Sequence, residues 1–98
     1  MAKQTEVVVR VYVVRGRVQG VGYRYFAQAR AVEVGVRGWV RNRDDGSVEA
    51  CAAGTSEQLS AFSGWLHRGP RFSDVRGVEE REASVADLLQ SDGFVIRH

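Results

Sequence analysis

Three glycines within seven positions, Gly16, Gly20 and Gly22, run into Arg24, and a second polar position, Asn42, precedes the Asp44-Asp45-Gly46 turn. A glycine-rich loop feeding a helix can aim several backbone N–H groups at one anion, and the positive end of the helix adds to their pull. In the first helical turn, Arg24 can fold its guanidinium back over the same place and grip two oxygens of a phosphate or carboxylate. Taken alone, the same glycines serve equally well to turn the chain. The run is not a Walker loop, because no Lys-Ser or Lys-Thr follows the glycines, and G-x-G-x-x-G does not occur. The candidate chemistry is the capture of one small anion.

The charge pattern agrees. Through Arg43 there are nine basic side chains against Glu6 and Glu33, a balance of +7; from Asp44 onward five arginines face ten acids, a balance of −5. An anion attractor is thus confined to the first half of a chain whose net charge is only +2. At 98 residues the chain is expected to form a single domain over 1–98, with residues 1–6 flexible. One cysteine makes no internal disulfide, and the absence of C-x-x-C removes the usual zinc pattern, so no metal and no cofactor are expected. The apolar runs around Arg10 are too short to span a bilayer, and no secretory leader pattern opens the chain. The expectation is a cytoplasmic protein without membrane contact, with a monomer as the simplest state.

These residues need elements to hold them. Val7–Val14 reads as a strand by period two and β-branching, with Val7, Val9, Val11 and Val13 forming a fully buried face and Val8, Arg10, Tyr12 and Val14 a mixed one. Residues 15–22 read as a loop. Tyr23–Val34 follows as a helix with Tyr23, Phe26, Ala27, Ala31 and Val34 at helical spacing, stopped by Gly35. Strands are expected at 36–43 and 47–53. Thr55 and Gln58 form a capping box for a second helix that Gly69-Pro70 ends. A charged edge strand at 71–82 and a short closing strand at 94–97 complete the chain, and 83–92 carries no clear element. The β-α-β-β-α-β order predicts an α+β, ferredoxin-like two-layer sandwich: an antiparallel sheet with two helices on one face and a short fifth strand. Handedness makes the first and second strands parallel, which brings residues 15–24 and 41–44 to one edge of the sheet.

Gly16-Arg17-Val18-Gln19-Gly20-Val21-Gly22-Tyr23-Arg24 resembles the signature of the acylphosphatase family, G-x-V-Q-G-V-x-[FY]-R. Gly38-Trp39-Val40-Arg41-Asn42 is similar to that family's second motif, G-x-V-x-N, and the likeness continues through Trp65-Leu66, Gly69-Pro70 and Phe94-Val95-Ile96-Arg97. The resemblance implies hydrolysis of small acyl phosphates to a carboxylate and inorganic phosphate. It also implies that Arg24 and the backbone N–H groups of the glycine loop hold the phosphate, while Asn42 orients the attacking water. Phosphoryl transfer passes through a loose transition state in which positioning and charge stabilisation dominate, and these groups supply both. An asparagine amide aims a water but cannot deprotonate it.

His67 and His98 come much later than either motif, so no histidine is expected near the site. Asp44 and Asp45 read as turn residues. A carboxylate leaves with an acid pKa of about 4 and needs no proton donor, whereas an alkoxide resembles hydroxide, whose parent water has a pKa near 15.7, and needs protonation or a metal. The residues therefore suit a mixed anhydride and not a phosphomonoester. Gln19 is expected to hold the loop together, Tyr23, Trp39 and Trp65 to pack, Cys51 to be a small buried group, and Arg15 and Arg17 to steer anions or face solvent. Three other functions compete. An RNA-recognition module shares the strand order but needs aromatics on its third strand, where 47–53 has none; no nucleic-acid partner is expected. A related domain binding carbamoyl phosphate is disfavoured by the single-domain length, and a non-catalytic interaction module by the intact Arg24 and Asn42.

Overall fold

The computed structural model describes residues 6–89 and 91–98. The valine-rich segment forms β1 (Val8–Arg17), followed by α1 (Tyr23–Val34), β2 (Arg37–Asn42), β3 (Val48–Gly54), α2 (Ser56–Arg68), β4 (Asp74–Glu82), a 3₁₀ turn (Val85–Leu88) and β5 (Phe94–Arg97). The strands make one sheet in the order β4-β1-β3-β2-β5. β3 runs antiparallel between β1 and β2, so those two are parallel, as the crossover rule requires. The expected flexibility of residues 1–6 concerns, apart from Glu6, positions outside the described residues.

Both helices cover the same face. Tyr23, Ala27 and Ala31 of α1 and Leu59, Phe62 and Leu66 of α2 share one buried cluster with Tyr12, Val14, Val40, Val48, Ala50 and Ala52 of the sheet. Phe62 anchors it, edge-on to Tyr12 at 5.7 Å and to Phe94 at 5.5 Å between ring centroids. Thr55 and Gln58 form the expected capping box, and Gly69 closes α2 through its N–H to the Trp65 carbonyl.

The assignment of the β1 faces changes. The helices cover the mixed face, through Tyr12 and Val14, while Val9 and Val11 lie in a second cluster with Trp39, Cys51, Ala53 and Leu88. Val7 is exposed and Val13 half-buried, so the all-valine face is only partly covered. The cover is the 3₁₀ turn within the stretch that carried no clear sequence signal. Leu88 packs on the sheet and the Asp87 carbonyl accepts a 2.8 Å hydrogen bond from Trp39 Nε1. Burial pushes the Cys51 thiol beneath it up to about 11, which suits a packing group and not a nucleophile.

A second correction bears on the site. β1 does not stop at Val14; it continues to Arg17, paired with β4 through a register shift between Arg15 and Gly16. Gly16 is required there, because a Cβ at that position would lie 2.1 Å from the Asp74 carbonyl oxygen. Gly16 and Arg17 thus belong to the sheet, and the free loop is 18–22.

Candidate active site

β1, α1 and β2 deliver their ends to one edge of the sheet. Gly20 and Gly22 both take left-handed backbone conformations, at φ of 75° and 77°, while a Cβ at either would meet nothing within 4 Å. Their constraint is conformational: these turns bring residues of the loop and the start of α1 to the lining of one hollow. Gly22 caps α1 without a side-chain bond, the first turn holds no acidic residue, and the first helical bond runs from the Phe26 N–H to the Gly22 carbonyl at 3.0 Å. The amides of residues 23–25 precede that bond and have no helical acceptor. A helix start left uncapped by any carboxylate is suited to an anion from outside.

The hollow has a volume of about 120 Å³ and is lined by Val18, Gly20, Gly22, Tyr23, Arg24, Tyr25 and Asn42. Arg24 and Asn42 therefore border one small space. Val18 is buried beneath it, Val21 packs against the core, and Gly16 and Arg17 lie outside it in the sheet.

Gln19 and Tyr23 hold the loop from below. Gln19 Nε2 donates to the Arg43 carbonyl at 2.8 Å and to the Ser47 carbonyl at 2.9 Å, tying the loop to the turn that follows Asn42. The buried Tyr23 hydroxyl donates to the Leu66 carbonyl at 2.6 Å, in the last turn of α2 where that oxygen has no helical donor. Burial pushes this hydroxyl above its ordinary pKa, so it remains a neutral donor. The hydroxyl of Tyr12, by contrast, is buried without a hydrogen-bond partner in the described residues. Tyr23→Phe should therefore cost about 1–2 kcal/mol in denaturant unfolding, and Tyr12→Phe less than half of that. Equal losses would contradict this difference.

Charged neighbours of the site are mostly committed. Arg15, exposed at the surface, donates to Glu79 at 2.9 Å and to Asp45 at 3.4 Å. Asp45 also accepts from the Ser47 hydroxyl and N–H, which, with the Arg43 and Arg15 charges, bring its carboxyl down to about 2. It is ionised at neutral pH and is no proton donor. Arg41 pairs with Glu49 at 2.8 Å and lies 5.2 Å from the Trp39 ring centroid. Trp39 and Trp65 pack, as expected; Trp65 contacts Phe26 and Arg30.

Two residues at the site are not among those the sequence singles out for it. Tyr25 borders the hollow as a largely exposed ring. His98, placed far from the site by its position in the chain, is beside it: its Nδ1 is 3.3 Å from Arg24 Nη1, and with Arg41, Asn42, Arg43, Asp44 and Asp45 it lines a wider cleft of about 500 Å³. Strand pairing explains the correction. β5 runs parallel to β2 with Arg97 opposite Arg41, so the next residue comes level with Asn42. The pairing partner of the closing strand was the signal that could have found it.

The profile of the acylphosphatase family matches residues 10–96. An acylphosphatase of Solibacter usitatus (strain Ellin6076) is 56% identical over 88 residues, covering 90% of this chain and 88% of its own. That of Pasteurella multocida (strain Pm70) is 47% identical over 87 residues, or 89% and 94% of the two chains. The crystal structure of the Bacillus subtilis acylphosphatase superposes with a TM-score of 0.85 at 38% identity, covering 95% of this chain and all of the other.

Proposed function

This chain belongs to the acylphosphatase family, enzymes that cleave the carboxyl–phosphate anhydride of acyl phosphates, and from that premise we propose that Arg24 and Asn42 carry the reaction. The observation that supports this most is their convergence on one 120 Å³ hollow, at the uncapped start of α1, from positions far apart in the sequence.

On this reading the substrate phosphoryl group enters the hollow. Two of its oxygens take the parallel N–H groups of Arg24, and the loop and first-turn amides of 18–25 meet the remaining charge. The Asn42 side chain holds a water by its carbonyl oxygen, while its N–H₂ can donate to a phosphoryl oxygen. The water oxygen bonds to phosphorus as the bond to the acyl oxygen breaks. The electron pair leaves on the carboxylate, and the water proton passes to the phosphate or to solvent. The charge balances: an acyl phosphate dianion and water give a carboxylate and dihydrogen phosphate. With Arg24 and the loop gathered around one hollow, little reorganisation would be needed as charge spreads over the phosphoryl oxygens.

The same reading takes the enzyme as a cytoplasmic monomer built on one acylphosphatase domain, the span of the family profile over residues 10–96. Among the described residues no helix is long and apolar enough to cross a membrane.

Leaving-group chemistry supplies the test. Phosphate release from benzoyl phosphate should proceed unchanged in EDTA. Phenyl phosphate, whose leaving phenol has a pKa of about 10 against about 4 for a carboxylic acid, should react at least about a thousandfold more slowly. Comparable rates on both substrates, or loss of the benzoyl phosphate activity in EDTA, would overturn the reading.

A further inference from the structure

We infer that His98 is a positioning residue for Arg24: its imidazole Nδ1 accepts from the guanidinium and restrains it while leaving its charge free for the phosphate. The inference rests on the phosphate-binding reading of Arg24.

Arg24 Nη1 and His98 Nδ1 are 3.3 Å apart. A guanidinium has five N–H donors and no acceptor, so in this contact Nδ1 must accept and the imidazole proton belongs on Nε2. One of the five donors is used, and four remain for phosphoryl oxygens. Among the described residues Arg24 has no carboxylate within salt-bridge distance, whereas Arg41 and Arg76 each have one and Arg15 has two. A carboxylate at this place would cancel the charge that recruits substrate and would itself occupy the fork. An uncharged acceptor restrains the side chain without that competition.

The groups facing the imidazole fit this role. Asp45 is committed to Ser47 and Arg15, and Arg41 to Glu49. Arg43 and Asp44 lie along the same cleft, and Arg97 precedes His98 with its guanidinium turned to the Leu89 carbonyl. His98 reaches Arg24 because β5 is an edge strand parallel to β2, which ends level with Asn42. One strand pair thus presents Asn42 and the support for Arg24 side by side.

Restraining one long side chain is worth about threefold to tenfold in affinity. For benzoyl phosphate, His98→Ala should raise KM by that factor and leave kcat within about twofold, since the restraint serves ground state and transition state alike. His98→Asn places Oδ1 where Nδ1 was and should restore KM, whereas His98→Leu, of similar bulk but without an acceptor, should not. Melting temperatures measured alongside separate loss of fold from loss of positioning. An unchanged KM in His98→Ala, or equal behaviour of His98→Asn and His98→Leu, would overturn the inference. Arg24→Ala in the same series tests the premise: full activity there removes the phosphate-binding reading, while inactivity there with a wild-type KM in His98→Ala removes this inference alone.

Discussion

Arg24→Ala is expected to lower kcat/KM for benzoyl phosphate by about 10³–10⁵-fold, the range lost with an arginine that stabilises a phosphoryl transition state. The reasoning starts from what the hollow contains. Its other charge-bearing contributions are backbone amides and the helix start, which supply partial charges only. Arg24 is the full charge among the residues that line it. Removing it leaves the amides to meet the spreading negative charge unaided. The fold should hardly notice: Arg24 is half-buried and belongs to neither buried cluster, so unfolding should shift by no more than about 0.5 kcal/mol. Arg24→Lys separates charge from shape. An ammonium keeps the charge but has no planar fork, so two oxygens are no longer held by parallel bonds. Less than a tenth of the wild-type kcat/KM should return, by the 10-fold that each 1.4 kcal/mol of lost transition-state binding costs. Steady-state phosphate release with circular dichroism melts checks both variants. A lysine variant near wild-type activity would show that a point charge suffices and that the bidentate grip is not needed.

The sequence made the central architecture legible because its local signals were strong and mutually consistent. Period-two valines, a helical stripe from Tyr23 to Val34, the Thr55–Gln58 capping box and the Gly69-Pro70 stop all lie where the structure has the corresponding elements. With the crossover rule, these placed the loop and Asn42 on one edge. The errors arose where the deciding contact is long-range. The extension of β1 to Arg17 depends on β4, which approaches so closely that only a glycine fits at position 16. Which face of β1 the helices cover depended on packing, not pattern, because Tyr12 and Val14 are as able to bury as Val9 and Val11. The 3₁₀ turn has too short a pattern to announce itself and is fixed by Leu88 and the Trp39–Asp87 bond. His98 was out of reach for the same reason: only the parallel pairing of β5 with β2 brings it to Arg24.

Asn42→Ala should lower kcat for benzoyl phosphate by about 10²–10³-fold with KM nearly unchanged, the loss that follows removal of one preorganised donor or misplacement of a reactant by about 1 Å. The split between the two constants follows from the role. On the proposed roles, a residue that aims the water contributes when the new bond to phosphorus forms, whereas phosphate affinity would rest chiefly on Arg24 and the loop amides. Asn42 suits this task because its place is fixed from both sides. β3 pairs with it through Val48, and Gln19 ties the glycine loop to the carbonyls of Arg43 and Ser47 on either side of the turn. The backbone of Asn42 is thereby placed beside the 18–22 loop, and its side chain borders the same hollow as that loop. Asn42→Asp distinguishes aiming from deprotonation. It keeps the acceptor oxygen and the size but replaces the N–H₂ donor with a negative charge facing the phosphoryl dianion. If the water is only aimed, this variant should match the alanine variant in kcat and show a raised KM besides, through like-charge repulsion. If the step instead needs proton removal, the carboxylate would act as a base and restore kcat toward the wild-type value. Initial rates over a range of benzoyl phosphate concentrations, for the two variants together, decide between those outcomes.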